Sequence, residues 1–79
     1  MPRTQIFQVN VSYAGITANQ WVHVDVVDGL KDSVAYARCL VRTRIRKIVN
    51  QSPVVNFVKL SHEVIDGEMI DCLHQQFVG

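Results

Sequence analysis

Thr4-Gln5-Ile6-Phe7-Gln8-Val9-Asn10-Val11-Ser12-Tyr13 alternates between apolar and polar side chains, with Phe7, Val9, Val11 and Tyr13 on one side and Gln8, Asn10 and Ser12 on the other. A period of two is the pattern of a strand with one buried face. Gln20-Trp21-Val22-His23-Val24-Asp25-Val26-Val27 repeats it, with Val22, Val24 and Val26 pointing one way and Trp21, His23 and Asp25 the other. Between them, Ala14 to Asn19 contains a glycine and an asparagine, which tolerate positive backbone angles, and is short enough to join antiparallel neighbours. The reading is a hairpin with one valine-rich face.

What covers that face follows next in the chain. Asp28-Gly29 breaks the alternation, and Asp28 or a neighbour is placed to cap a helix from about Leu30 to Asn50. Leu30, Val34, Ala37, Val41, Ile45 and Ile48 recur three or four apart and make one apolar stripe to lie on the sheet. Gln51-Ser52-Pro53 ends the helix, because proline disfavours a helical residue before it and has no N–H to donate. A third strand runs from Val54 to about Ser61, apolar on both sides, with Val54, Val58 and Leu60 on one and Val55 and Phe57 on the other.

The tail has two readings. Asp66-Gly67 either caps a short helix to about Phe77, with Met69, Ile70, Leu73 and Phe77 on one face, or forms a tight turn between Glu63-Val64-Ile65 and Glu68-Met69-Ile70. We prefer the helix. The expected fold is α+β, an antiparallel sheet of three strands in order β-β-α-β, with one long helix on one face and a short C-terminal helix or hairpin.

With 79 residues there is room for a single domain, 1–79, which buries only about 60% of its unfolded surface, so a deep catalytic pocket is not expected. A composition 48% apolar and 19% charged, with formal charge +1, is that of a globular chain. No apolar run reaches the 18 or so residues of a membrane span, and Met1-Pro2-Arg3-Thr4-Gln5 leads straight into the first strand, so we expect a cytoplasmic protein with no membrane contact. Cys39 and Cys72 are far apart in ordinary amphipathic stretches and read as free thiols.

Charge is unevenly placed. Six of the eight basic residues lie between Lys31 and Lys47, whereas Glu63, Asp66, Glu68 and Asp71 supply four of the seven acids. At 100° per residue Lys31, Arg38, Arg42 and Arg46 fall along one ridge of the helix, and Arg44 and Lys47 along the opposite flank. Such a ridge matches phosphate spacing and makes a small DNA- or RNA-binding protein one reading, although long basic side chains also simply solvate the outer side of a helix. The acidic tail could pair with that helix, with a second copy or with a cationic partner.

The outer face of the hairpin offers another surface, a single tryptophan among small polar groups, which is the anatomy of a protein interface. Trp21, His23 and Asp25, with Arg38, Arg42 and Arg46, are therefore the candidate partner-binding residues. Trp21 packed beneath the C-terminal element is the structural alternative. His23 and Asp25 share a face but no nucleophile is tied to them, so catalysis is not expected. Cys72-x-His74 with His62 lacks the ligand spacing of a zinc site, and the glycines are dispersed, so neither metal nor cofactor is expected.

In the layout of the hairpin, Phe7-Gln8-Val9-Asn10-Val11-Ser12-Tyr13 with Val22-His23-Val24-Asp25-Val26, then a long helix and a third strand, the chain resembles the small accessory proteins of bacteriophages. Some of these disable host enzymes or defence complexes, anti-CRISPR proteins among them. The resemblance covers about residues 5 to 60 and carries no motif, so it transfers no functional residue. It implies a stoichiometric inhibitor that occupies a surface of a host or viral protein. The leading expectation is thus a non-enzymatic protein-binding module, with nucleic-acid binding as the alternative. A homo-oligomeric subunit, such as a homodimer pairing the second face of the sheet with itself, is a third reading.

Overall fold

The structure is a computed structural model that describes residues 3–27 and 29–78, the side chains of His74 and Val78 excepted. Its elements are β1 (Arg3–Tyr13), β2 (Ile16–Asp25), α1 (Ser33–Val49), β3 (Val54–Ile65) and β4 (Glu68–Val78). They form one antiparallel sheet in the order β2-β1-β3-β4 with α1 across β2, β1 and β3. The fold is α+β as expected, but the strands are four and the order is ββαββ.

The first hairpin is tighter than its sequence suggests. Tyr13 pairs with Ile16, so the turn is only Ala14-Gly15, both with positive φ (50° and 78°). Two left-handed residues make the turn whose twist matches that of the strands. β2 therefore begins at Ile16, well before Gln20.

Helix α1 starts three residues later than expected, because Asp32 is its cap: the Asp32 carboxylate accepts the Ala35 N–H at 3.0 Å. Asp28 lies outside the described residues. The helix ends at Asn50, whose left-handed backbone (φ 52°) turns its N–H onto the Arg46 carbonyl at 3.0 Å, so the stop is set by asparagine before Pro53 is reached. Ala37, Val41 and Ile45 are buried, whereas Ile48, expected in the same stripe, is 75% exposed. The half-buried Val49 continues the contact with the core instead.

Two bulges correct the reading of β3. Asn56 is an extra residue between the pairs Val55–Val11 and Phe57–Asn10, and Ser61 is extra between Leu60–Phe7 and His62–Ile6. A bulge reverses which side the following residues occupy. Val55, Val58 and Leu60 therefore line the core with Phe7, Val9, Val11, Val22 and Val24, while Phe57 turns to the other side and Val54 is exposed.

The tail corrects the preferred reading altogether. Ile65 pairs with Glu68 across Asp66-Gly67, both with positive φ (51° and 80°), and residues 68–78 form β4 rather than a helix. β4 is itself interrupted, since Cys72, Leu73 and His74 stand opposite the single bulged Ser61. Leu73 takes a left-handed φ of 55°, with its N–H donated to the Asp71 carboxylate at 2.7 Å. Among the acids of the tail, Glu63 accepts both Nε and Nη2 of Arg3, at 2.8 and 2.9 Å, and Gln5 Nε2 at 3.3 Å. That fork beside a half-buried carboxylate holds Glu63 below the usual carboxylate range.

Candidate binding face

One side of the sheet carries α1 and the other carries no element among the described residues, so the bare side is where the hairpin's outward residues lie. Strand pairing arranges that side in rows. Asp25, Thr4, Val64 and Met69 form the first row, and His23, Ile6, His62 and Asp71 the second. Trp21, Gln8, Lys59 and Gln76 form the third; Asn19, Asn10 and Phe57 follow, then Thr17 and Ser12. The rows divide into two regions of different character.

At the end near the Ala14-Gly15 turn, small polar side chains join three strands. Asn56 Nδ2 donates to Asn10 Oδ1 and to Ser12 Oγ, each at 2.9 Å, and Asn10 Nδ2 donates to Asn19 Oδ1 at 2.9 Å. The hydroxyls of Ser12 and Thr17 share a hydrogen bond at 3.1 Å. The Asn56 bulge makes this possible by bringing one more amide to the surface than a regular strand would. Side chains already bonded to one another lose little further freedom when a surface meets them, which lowers the cost of association.

The other region is more apolar. Ile6 forms its floor, 9% exposed although it points away from the helix, between His23 and His62. Trp21 stands in the adjoining row with 53% of its surface exposed. β4 lies at the opposite edge of the sheet from β2, so the alternative in which the C-terminal element covers Trp21 is excluded. Lys59 Nζ sits 5.2 Å from the centre of the Phe57 ring, a cation over an aromatic face on the same surface. Asp25 accepts the Thr4 hydroxyl at 2.9 Å, and Ser61 Oγ lies 2.7 Å from His62 Nδ1.

The arginines occupy the other layer. Arg38 and Arg42 are half-buried on one flank of α1 and Arg46 is exposed, while Lys31 precedes the helix. The four do not form a single exposed row. Arg44 and Lys47 are exposed on the opposite flank. Trp21, His23 and Asp25 are thus brought together on the bare face, and the helix residues are separated from them by the thickness of the sheet.

A depression of about 340 Å³ lies where the edge of β2 meets the helix, lined by His23, Asp25, Val27, Leu30, Tyr36 and Leu40. Sequence reading missed it, because its walls come from β2, the connection after it and the first two turns of α1. The amide network was equally hidden, since Asn56 reaches it only through a bulge. Cys39 is exposed and Cys72 half-buried, both as free thiols. Among the described residues no three His, Cys, Asp or Glu side chains are grouped to hold a metal ion. No helix there is long and apolar enough to cross a membrane. Compared with protein-family models, with curated proteins and with solved structures, the chain shows no significant match.

Proposed function

We propose that the protein is a non-enzymatic binding module that occupies a partner protein's surface with the bare face of its sheet, Trp21, His23 and Asp25 being in the contact. The observation that carries this reading is the half-exposed Trp21 on an uncovered sheet face, beside polar groups already fixed by their own hydrogen bonds. A large rigid aromatic next to preorganised polar groups is the composition of an interface centre. The mechanism is steric, in keeping with the resemblance to bacteriophage accessory inhibitors read from residues 5 to 60 of the sequence. Because Arg38, Arg42 and Arg46 belong to the opposite layer, a partner seated on the sheet does not need them.

The test compares proteins captured on the immobilised chain with those captured by variants. Trp21→Ala and Gln8→Arg each lose a captured protein that the Arg42→Ala/Arg46→Ala variant retains, with circular dichroism unchanged throughout. Capture indifferent to both sheet substitutions overturns the reading. The nucleic-acid alternative is read in parallel from the anisotropy of labelled single-stranded RNA, single-stranded DNA and duplex DNA at two salt concentrations. Binding that weakens with salt and depends on Arg42 and Arg46 would replace the protein partner with a nucleic acid.

A further inference from the structure

The sheet has two free edges, and they differ in how they meet another strand. β4 is interrupted at residues 72–74, where Leu73 adopts a left-handed backbone, and carries Glu68 and Asp71 within its first four residues. Bulges and charges are the usual devices by which an edge is kept from pairing. β2 has no bulge, since its ten residues pair with β1 without a register shift, and its one charge is Asp25 at its last position, Ile16 to Val24 containing neither charge nor proline. Its inward and outward groups can be assigned. Tyr13 and Ile16 flank a two-residue turn and so form a hydrogen-bonded pair, and the ladder alternates from there. Val26 N–H, bonded to the Arg3 carbonyl at 2.9 Å, keeps the same parity. Thr17, Asn19, Trp21, His23 and Asp25 therefore direct their N–H and C=O groups away from the sheet.

We infer that a second copy of this chain adds its β2 antiparallel to this one, joining two four-stranded sheets into one of eight across a two-fold axis. Apolar surface flanks the edge in both layers, Trp21 on the bare face and, below it, the depression with Val27 (61% exposed) and Tyr36 (47% exposed) in its wall. Charge is arranged so that the two-fold matches it. Tyr36 borders the Asp25 end of β2, and the chain leaves α1 toward Val54, which pairs with Ser12 at the opposite end. The helix thus starts beside β2 at the Asp25 end, where Asp32 lies with Lys31 next to it, and crosses toward β3, with Arg44 and Lys47 one and two turns beyond Leu40 on the helix face that Tyr36 and Leu40 turn to the depression. An antiparallel copy turns its Asp25 and Asp32 toward the Arg44 and Lys47 end of the first, and the uncharged middle of β2 meets itself. An isologous contact of this kind closes on two copies.

At about 3.3 Å per residue the edge is about 33 Å long, and with two layers about 18 Å deep it offers about 600 Å² per copy, about 1,200 Å² in all. That is the lower limit for a specific interface, as expected of a weak, reversible pair. It is an edge contact, distinct from the pairing of sheet faces, and it rests on the fold alone. Whether the bare face binds a partner does not enter it.

Sedimentation equilibrium of the full chain from 5 to 500 µM, with reductant present to keep the exposed Cys39 reduced, provides the test. The weight-average mass rises with concentration from 9.0 kDa toward about twice that value. His23→Pro removes one outward N–H without touching the β1 ladder, and Tyr36→Lys puts a cation in the depression. Each weakens the pair at least tenfold while circular dichroism is unchanged, and Met69→Lys on the other edge leaves it intact. A mass of 9.0 kDa at every concentration overturns the inference. So does a dimer that survives both β2-side substitutions or is lost with Met69→Lys.

Discussion

Ile45 and Ile48 are one turn apart on the same helix and chemically identical, yet the structure assigns them opposite weights. Ile45 is 2% exposed in the cluster beneath α1, whereas Ile48 is 75% exposed. Truncating a fully buried isoleucine to alanine removes its transfer free energy and leaves a cavity, costing about 2 to 5 kcal/mol. At Ile48 only a quarter of the side chain is covered, worth about 0.5 kcal/mol, and alanine's better helix propensity returns about 0.4 kcal/mol of that. A domain of this length has a total stability of about 4 to 12 kcal/mol. Ile45→Ala therefore forfeits a large fraction of it and Ile48→Ala almost nothing. Urea titrations followed by tryptophan fluorescence read the difference: the Ile45→Ala midpoint falls by about 2 M, while Ile48→Ala stays within about 0.5 M, with unchanged slopes. Equal losses at the two positions would refute the placement of the helix on the sheet.

Two further outcomes follow from the ionisable groups. The Arg3 fork lowers the Glu63 pKa from its ordinary 4.5, so the folded state favours the carboxylate and the stabilisation is present above that value and fades as pH falls through the lower, folded one. Arg3 is nearly half exposed, so the pair is worth about 1 kcal/mol at most. Urea midpoints show Glu63→Gln less stable than the parent by a constant margin from pH 7 to about 5.5, a margin that shrinks below pH 4.5; one that widens in acid contradicts the sign. Burial pushes the Cys72 thiol up from its ordinary value, helped by the nearby Glu63 and Asp71 carboxylates, whereas Cys39 is exposed. A thiol-reactive dye at pH 8 accordingly labels Cys39 well before Cys72, and mass spectrometry of Cys39→Ser and Cys72→Ser separates the two rates. Faster labelling of Cys72 would count against its half-buried place in β4 opposite Ser61.

The parts of the fold that were legible in the sequence were those in which one regular period persisted. Phe7, Val9 and Val11 alternate without interruption and lie on the core side, and Ala37, Val41 and Ile45 keep helical spacing and are buried. Trp21, His23 and Asp25 were placed on one face by the same alternation, and they share it. What failed did so where a local departure reset the period. Neither Asn56 nor Ser61 announces a bulge, because no glycine or proline accompanies it, yet each turns over the residues that follow. Asp66-Gly67 is ambiguous for a different reason: aspartate and glycine open a helix as readily as they close a hairpin, and Met69, Ile70, Leu73 and Phe77 have helical spacing. The pairing partner decides, since β3 extends four residues beyond Ser61 and presents an edge along which the tail can lie. Ile48 shows the limit of periodicity in the other direction, because the stripe says which side of a helix is apolar but not where the sheet beneath it ends.

That limit also bears on the arginines. A helical wheel placed Lys31, Arg38, Arg42 and Arg46 on one ridge, but a wheel treats every residue as exposed to the same medium. In the folded chain Arg38 and Arg42 are half-buried on one flank of the helix, whereas Arg46 is exposed and Lys31 lies in the connection. Their charges are therefore not presented as one row. The bare face differs because the strand pairing itself fixes its rows and Asn56, Asn10 and Asn19 lock one end of it. The helix layer and the sheet face therefore respond to separate substitutions: Arg42→Ala/Arg46→Ala leaves the sheet rows intact, and Gln8→Arg leaves the helix intact. A loss of binding with one and not the other locates the contact without knowledge of the partner, because Gln8 lies on the bare face and Arg42 and Arg46 lie on the helix.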